Sequence, residues 1–245
     1  LGLDQGSLRG VSREEENVNK QSIILSALKM GAISGLLSML VQIALAGWLS
    51  ENVFHESSFL MKVIAIHALS LPFYIIIHIS AQSTQAYKLL KYKIFVTELQ
   101  NPLILLLAMT VCYFFYSVES AIIIPVVIAS VLGFLTINLF LKQVAGVNIL
   151  SVQKGVFDKE LLNYSLPIMF MAILATVLHW TDIIMLGYFT DTTTVGLYHP
   201  AVRTAGIVRI VFLSFAGIYG PIMAEMYARK QSGEMSHVFK LVTRW

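Results

Sequence analysis

Residues 161–189 read LLNYSLPIMFMAILATVLHWTDIIMLGYF, and the polar turn TDTTT at residues 190–194 separates them from a second apolar run, residues 195–224. Each run exceeds the roughly 20 residues that an α-helix needs to cross a hydrocarbon core of about 30 Å. Two such runs with a short polar connection predict a hairpin of transmembrane helices. This hairpin sets the fold class that the remainder of the sequence must fit.

The composition of the whole chain agrees with a membrane protein. Hydrophobic residues make up 57% of the 245 residues and charged residues only 13%, whereas soluble domains have roughly 45–50% and about 25%. We therefore predict an all-α, polytopic transmembrane helical bundle. The formal net charge of +3 is too small to indicate a nucleic-acid partner. Apolar runs of spanning length predict six spans: Met30–Leu49, Val63–Ala86, Ile94–Tyr116, Ala121–Leu141, Leu161–Phe189 and Val195–Ala224.

The connections between the predicted spans alternate in charge. Almost all basic residues lie in one set of segments: Leu1–Lys29, Tyr87–Lys93, Lys142–Glu160 and Arg229–Trp245. The opposite connections contain Glu51, Glu56, Glu119 and Asp191, with Lys62 nearby. By the positive-inside rule, the first set is cytoplasmic and the second set is external.

Ionisable side chains inside the apolar hairpin are the first candidates for a functional site, because each costs roughly 2.5 to 3.5 kcal/mol to insert into a bilayer. Asp182 and Arg203 both lie about 12 Å below the external surface on antiparallel helices, so they can meet. One interpretation is structural: a buried pair, or a hydrogen-bonded Asp182, merely fixes two adjacent helices. The other is that Asp182, alone or with Arg203, lies in a water-filled cavity and responds to a coupling ion or to substrate.

Arg209 lies deeper, about 21 Å from the start of its span and beyond the bilayer midplane, without an obvious acidic partner in the sequence at that depth. His199 and Arg203 share a face of this helix, and Arg209 points roughly 120° away from Arg203. A guanidinium group matches the geometry of a phosphate bidentately. We therefore predict that Arg209, Arg203 and His199 contact an anionic, phosphate-bearing substrate. The alternative for Arg209 is snorkelling towards the cytoplasmic surface.

Polar side chains of the first three spans are candidates for lining a cavity. On one face of the second span, a polar stripe within about 60° consists of His67, Ser70, Tyr74, His78 and Gln85. Such a stripe serves either interhelix hydrogen bonds or a water-filled cavity. Gln42 in the first span and Glu98 at the cytoplasmic end of the third span are further candidates.

Two features of the sequence predict how the first two spans pack. Ala27, Gly31 and Gly35 recur every four residues and form a small-residue ridge that another helix can approach closely. Pro72 lacks an N–H donor and therefore predicts a kink in the second span.

Around the hairpin, the sequence resembles the polysaccharide, or O-antigen, flippases of the multidrug/oligosaccharidyl-lipid/polysaccharide exporter superfamily. The matching residues are LNYSLP at 162–167, TDIIMLG at 181–187, VGLY at 195–198, Ala201, Arg203, Gly220 and Pro221, together with the opening LGLDQ through Arg9. The resemblance covers nearly the whole chain and is most specific over Leu161–Pro221. It implies transport of an oligosaccharide linked to a polyprenyl diphosphate from the cytoplasmic to the outer leaflet, for cell-surface polysaccharide biosynthesis.

The resemblance also implies a MATE-like transporter of twelve to fourteen spans in two lobes, with alternating access by rocking of the lobes. We expect the chain to be an internal fragment of such a protein, since it begins with Leu1 rather than Met. Residues 1–141 would end the first lobe, residues 142–160 would form a cytoplasmic linker, and residues 161–245 would begin the second lobe. The expected location is the plasma (inner) membrane of a bacterium or archaeon. The implied partners are the lipid-linked oligosaccharide and membrane lipids, with polysaccharide assembly enzymes as further candidates.

Other function classes are alternatives to a flippase. A multidrug exporter of the same superfamily would favour acidic residues for cationic cargo, whereas two arginines and one aspartate in the hairpin favour anionic cargo. A membrane-embedded polysaccharide polymerase or glycosyltransferase would need an extended external loop for the transfer chemistry, and the predicted external connections are short. The sequence shows no nucleotide-binding loop, no metal-spaced His or Cys set and no nucleophile arrangement. We therefore expect no cofactor, no metal and no enzymatic activity.

Overall fold

The computed structural model describes residues 2–54, 58–191 and 193–206, together with Met226, residues 233–235 and residues 238–240. Every regular element within these residues is a helix, which confirms the predicted all-α class. Five helical segments of the described residues are long and apolar enough to cross a membrane: Asn17–Val53, Ser58–Ala86, Leu90–Phe115, Val118–Ala145 and Lys159–Phe189. They correspond to the first five predicted spans. The described beginning of the sixth, up to residue 206, is also helical.

The helices in chain order are α1 (Leu3–Arg13), α2 (Asn17–Trp48), α3 (Ser58–Ala68), α4 (Leu71–Ala86), α5 (Leu90–Ile94), α6 (Asn101–Phe115), α7 (Val118–Ala145), α8 (Lys159–Phe189) and α9 (residues 193–206). Helix α1 was not predicted from the sequence, which indicated only a charged cytoplasmic segment there. Leu3 and Val11 are buried on its apolar face, and Arg13 in its last turn complements the helix dipole.

The helix of the second span is interrupted next to Pro72, where the sequence predicts a kink. Helix α3 ends at Ala68, and Pro72 occupies the first turn of α4. In a continuous helix the N–H of residue 72 would donate to the carbonyl of Ala68, and proline has no N–H. The chain instead turns at Leu69 and Ser70, where the Ser70 hydroxyl donates to the His67 carbonyl at 2.6 Å.

The third span contains a π-helical turn, Phe95–Gln100, between α5 and α6. Pro102 follows it in the first turn of α6. A proline ring clashes with the carbonyl of the residue four positions earlier, which here is Glu98. The wider π-helical turn accommodates this clash, so the span continues to Phe115 as one apolar segment.

The predicted small-residue ridge on α2 is the surface that α4 approaches. Gly31 and Gly35 are both buried. A methyl group added at Gly35 would lie 2.9 Å from the Cα atom of Pro72, and one added at Gly31 would overlap the Cδ1 atom of Ile79. These contacts confirm that small residues let the two helices pack closely.

The segment after α7 packs against α2. Gly146 ends α7 in the left-handed conformation, with a φ of 67°, and a 3-10 helix, Ile149–Lys154, follows. Gln21 donates to the Ala145 carbonyl at 2.8 Å, and Lys29 donates to the Gly155 carbonyl at 2.8 Å. The predicted cytoplasmic linker is therefore held to α2 by two side-chain hydrogen bonds.

Large apolar side chains cover the outer surface of α6. Leu106 and Leu107 are about 60% exposed, and Phe114 is 75% exposed. Such a patch is unfavourable in water, whereas lipid chains cover it in a bilayer.

The chain divides into two compact units: the first unit is Leu1–Trp180 and the second unit is Thr181–Trp245. The lobe boundary expected at residues 142–160 stays a prediction.

Candidate functional site

The hairpin turn of the second unit is ordered by Asp191. Helix α8 ends at Phe189, and Asp191 Oδ1 accepts hydrogen bonds from the backbone N–H of Thr194, at 3.0 Å, and from the Thr194 hydroxyl. This arrangement satisfies one backbone N–H group at the start of α9. The hydroxyl of Thr194, followed by its N–H, holds the pKa of Asp191 below its ordinary value. The turn is therefore capped by an ionised carboxylate at neutral pH.

Asp182 connects α8 to α9 within the second unit. Its Oδ2 accepts a hydrogen bond from the Tyr198 hydroxyl at 3.1 Å, and its Oδ1 accepts from the backbone N–H of Ile183 at 2.9 Å. The sequence pointed to Arg203 as the partner because the two Cα atoms have matching depths. Tyr198 was missed, although the length of its side chain brings its hydroxyl to Asp182. An exposed carboxylate on an apolar helix is thus tied to the neighbouring helix by a neutral donor.

Arg203 and His199 lie one turn apart on the same face of α9. The Nε atom of Arg203 donates to His199 Nε2 at 3.4 Å. This contact requires an unprotonated Nε2, because only a nitrogen with a lone pair accepts. Two of the three residues predicted to contact substrate are therefore neighbours, while Arg209 lies outside the described residues. The role of all three as substrate ligands stays a prediction.

The polar stripe of the second span makes contacts at both of its ends. His67 Nε2 lies 3.1 Å from the Ile122 carbonyl of α7, and Gln85 Oε1 accepts a hydrogen bond from Lys93 Nζ at 2.8 Å. Between these ends, the rings of Tyr74 and His78 are in contact at a tilt of 50°, with centroids 4.3 Å apart. The contact of His67 with α7 agrees with the interpretation that the stripe makes hydrogen bonds between helices. A cavity-lining role for His67, Tyr74 and His78 stays a prediction.

The two remaining cavity candidates are placed differently in the first unit. Gln42 is half-buried in α2, whereas Glu98 is exposed in the π-helical turn of the third span. Glu98 Oε1 accepts a hydrogen bond from the adjacent Thr97 hydroxyl at 3.1 Å. A cavity-lining role for Gln42 and Glu98 stays a prediction.

Sequence reasoning missed a cavity of about 760 Å³ in the first unit. Its lining comes from α1, the beginning of α2 and the first turns of α8: Gly6, Arg9, Gly10, Arg13, Glu14, Asn19, Ser22, Ile23, Asp158, Glu160, Leu161, Asn163 and Tyr164. The guanidinium carbon of Arg9 lies 4.0 Å from the centroid of the Tyr164 ring. The feature of the sequence that could have indicated this cavity is the pair Arg9 and Arg13, four residues apart in the predicted cytoplasmic segment.

Helix α1 is positioned by small residues. A methyl group added at Gly2 or Gly6 would overlap atoms of Ser165 in α8, and one added at Gly10 would lie 3.1 Å from Ile23 of α2. On another face of α1, the buried hydroxyls of Ser7 and Ser83 hydrogen-bond at 2.7 Å. These close contacts fix the helix that carries the two cavity arginines.

Comparison with known proteins identifies a family. The family model described as "Polysaccharide biosynthesis protein" matches residues 11–244. No curated protein and no solved structure matches the chain. Among the described residues, no group of three His, Cys, Asp or Glu side chains could hold a metal ion. Since the family model covers nearly the whole chain and five helices have the length and apolarity of membrane spans, this chain is an integral membrane protein that belongs to the polysaccharide biosynthesis protein family.

Proposed function

We propose that this protein is a flippase for a lipid-linked oligosaccharide. It would move an oligosaccharide on a polyprenyl diphosphate from the cytoplasmic to the outer leaflet of a bacterial or archaeal plasma (inner) membrane, and thereby supply cell-surface polysaccharide biosynthesis. The observation that carries the proposal is a polar cluster in the apolar hairpin of a polysaccharide biosynthesis family member. That cluster consists of two hydrogen-bonded pairs, Asp182 with Tyr198 and Arg203 with His199, and Tyr198 and His199 are adjacent on α9.

The chemistry of the cargo explains why such a cluster is useful. A diphosphate and its sugars cannot cross the hydrocarbon core unaided, because each charge is costly there. Arg203 offers a planar donor set that matches phosphate oxygens, and His199 can donate through Nδ1 while its Nε2 accepts from Arg203. In this proposal Arg203, His199 and Arg209 hold the diphosphate while the lipid tail stays in the membrane.

Asp182 has two roles under this proposal. Its hydrogen bond to Tyr198 holds α8 and α9 together, and its carboxylate is the hairpin group that a coupling proton or sodium ion would neutralise. The sugars would pass through a water-filled cavity lined by polar side chains: His67, Tyr74, His78, Gln42 and Glu98. The transporter would be non-enzymatic and MATE-like, with alternating access between two lobes.

A reconstituted transport assay tests the proposal. The full-length protein is inserted into proteoliposomes that contain a labelled polyprenyl-diphosphate oligosaccharide, and a membrane-impermeant glycosidase reports how fast the label changes leaflet. Losing a charge-assisted hydrogen bond of about 1.5–3 kcal/mol should slow Arg203→Ala by about 10-fold or more. Arg203→Lys should retain an intermediate rate, since it keeps the charge but not the planar fork.

Lys62→Ala is the matched control, because Lys62 is an exposed cation of another helix, α3, and should leave the rate unchanged. Elongation of the saccharide by the purified protein would instead identify a polymerase. Export of a cationic dye without movement of the oligosaccharide would identify a drug exporter. Either result would overturn the flippase proposal.

A further inference from the structure

The cavity between α1, α2 and α8 has the size and location of a ligand site. Its volume of about 760 Å³ lies within the range of about 300–1,000 Å³ that is typical of small-molecule sites. Residues 6–23 and 158–164 supply the lining. Residues 6–23 and 158–160 lie in segments that are cytoplasmic by the positive-inside rule, and residues 161–164 begin the adjoining span at the cytoplasmic side. We propose that this cavity binds a glycosyl phosphate headgroup, a phosphate ester that also carries sugar hydroxyls, at the cytoplasmic surface.

Two arginines supply the phosphate-binding part of this site. Arg9 and Arg13 are four residues apart, so they lie one above the other on α1, and both are exposed to the cavity. No carboxylate among the described residues forms an ion pair with either guanidinium. Two guanidinium forks one helical turn apart can each contact the oxygens of a phosphate or diphosphate.

The stack of Arg9 on Tyr164 orients one of these forks. The guanidinium carbon lies 4.0 Å from the ring centroid, which is within the distance of a cation–π interaction. This interaction uses the face of the ring and consumes none of the N–H donors of the guanidinium. Arg9 is therefore held in place while its hydrogen-bonding capacity stays available for a ligand.

The carboxylates of the lining argue against a site for a bare anion. Three carboxylates, Glu14, Asp158 and Glu160, accompany the two arginines. One oxygen of Asp158 already has hydrogen-bond donors, because Oδ1 accepts from the backbone N–H groups of Glu160 and Leu161 at 2.9 and 3.1 Å. Glu14 accepts from Asn19 at 3.3 Å. A ligand that suits such a lining brings hydroxyl donors as well as phosphate oxygens.

Sugar hydroxyls match the rest of the cavity wall. Glu160 is an exposed acceptor, and Asn163 is an exposed amide that both donates and accepts. The two side chains lie close to Tyr164 in the first turns of α8. Phosphate at the arginines and hydroxyls at α8 would together span the cavity. That the headgroup belongs to a lipid-linked oligosaccharide on its way across the membrane rests on the proposed function.

Equilibrium binding to the purified full-length protein tests the site without transport. Glucose 1-phosphate serves as the soluble glycosyl phosphate and inorganic phosphate as the anion alone, each measured by titration calorimetry. We expect glucose 1-phosphate to bind about 10-fold or more tightly than inorganic phosphate, since only the ester satisfies the α8 acceptors. Arg9→Gln combined with Arg13→Gln should weaken glucose 1-phosphate binding by at least about 10-fold.

Further variants separate the contribution of the Arg9 charge to the affinity from that of the Tyr164 ring. Arg9→Lys keeps the charge and should lose part of the affinity, while Tyr164→Ala should lose about 2- to 5-fold because the stack is removed. Tyr164→Phe keeps the ring and should bind normally. Lys20→Gln is the matched control: Lys20 also lies over a tyrosine, at 5.5 Å from the Tyr87 ring, but does not line the cavity.

Three results would overturn the inference. Unchanged binding in the folded double arginine variant would show that the cavity arginines are not ligands. Equal affinity for inorganic phosphate and glucose 1-phosphate would show a simple anion site. Loss of glucose 1-phosphate binding in nanodiscs rich in phosphatidylglycerol, but not in neutral nanodiscs, would identify a phospholipid headgroup as the occupant.

Failure of this inference is distinguishable from failure of the flippase proposal. A protein that moves the lipid-linked oligosaccharide at the same rate with and without Arg9 and Arg13 is a flippase that does not use this cavity. A protein that binds glucose 1-phosphate through the two arginines but moves no oligosaccharide has the site without the proposed function.

Discussion

Glycines of α2 lie against a neighbouring helix, whereas the described glycines of α9 lie in open space. In α2 of the first unit, a methyl group at Gly35 would lie 2.9 Å from the backbone of Pro72. In α9 of the second unit, a methyl group at Gly196 or Gly206 would meet no described atom within 4 Å. The α2–α4 contact is therefore set by close packing, whereas α8 and α9 are linked by the hydrogen bond of Asp182 and Tyr198. Close packing of this kind resists change, whereas a hydrogen bond between two side chains can be exchanged for one to a ligand.

The largest effect should come from Gly35→Ala. Its methyl group would press on the Pro72 backbone, which cannot rotate away, so we expect a loss of about 1–3 kcal/mol in the free energy of unfolding. Unfolding in mixed micelles by circular dichroism measures this loss.

Two controls sharpen the contrast with the hairpin. Gly47→Ala lies in the same helix, where the nearest atoms belong to Met61 at 3.9 Å, and should be neutral or stabilising by up to about 1 kcal/mol. Gly196→Ala should behave like Gly47→Ala. Equal destabilisation by all three substitutions would show that the two regions do not differ in packing.

The same contrast explains what the sequence could predict. Hydropathy located the first five spans, because long apolar runs need no knowledge of tertiary contacts. Helix α1 was missed because its glycines and charges interrupt any apolar run, and its burial comes from contacts with α4 and α8. Arg9 and Tyr164 are 155 positions apart, so no local pattern brings them together. Tyr198 was not foreseen as the donor to Asp182, because the depth argument compares Cα positions and does not consider the length of a tyrosine side chain.

A smaller effect should come from the Asp182–Tyr198 hydrogen bond. Interhelix hydrogen bonds in membrane proteins average about 0.6 kcal/mol and reach about 1.7 kcal/mol. A double-mutant cycle with Asp182→Ala and Tyr198→Phe should give a coupling energy in this range, measured from the free energies of unfolding.

The matched cycle replaces Tyr198→Phe with Tyr188→Phe. Tyr188 is exposed on the same helix as Asp182, and its ring contacts the ring of Phe189, a contact that phenylalanine retains. We expect no coupling in this second cycle. Coupling of equal size in both cycles would mean that the hydrogen bond does not link α8 to α9, and the contrast with the packed α2–α4 contact would lose its basis.

The smallest effect should be a pH dependence at the hairpin turn. The Thr194 hydroxyl lowers the pKa of Asp191 below its ordinary value of about 4. A carboxylate with a lowered pKa stabilises the folded state above the ordinary pKa, and this contribution is lost as the pH falls through the folded-state pKa. Thr194→Val removes the hydroxyl donor but keeps the N–H. The difference in Tm between the two proteins should therefore be largest near pH 6 and shrink below about pH 4.

Thr190→Val provides the control for this last comparison. The Thr190 hydroxyl donates to the Leu186 carbonyl at 2.6 Å, and a carbonyl does not titrate in this range. Its Tm difference from the unchanged protein should thus be the same at pH 6 and at pH 3.5. A pH-independent difference for Thr194→Val as well would show that Asp191 caps the turn without ionisation contributing. The hairpin turn would then depend on the number of its hydrogen bonds rather than on the charge of Asp191.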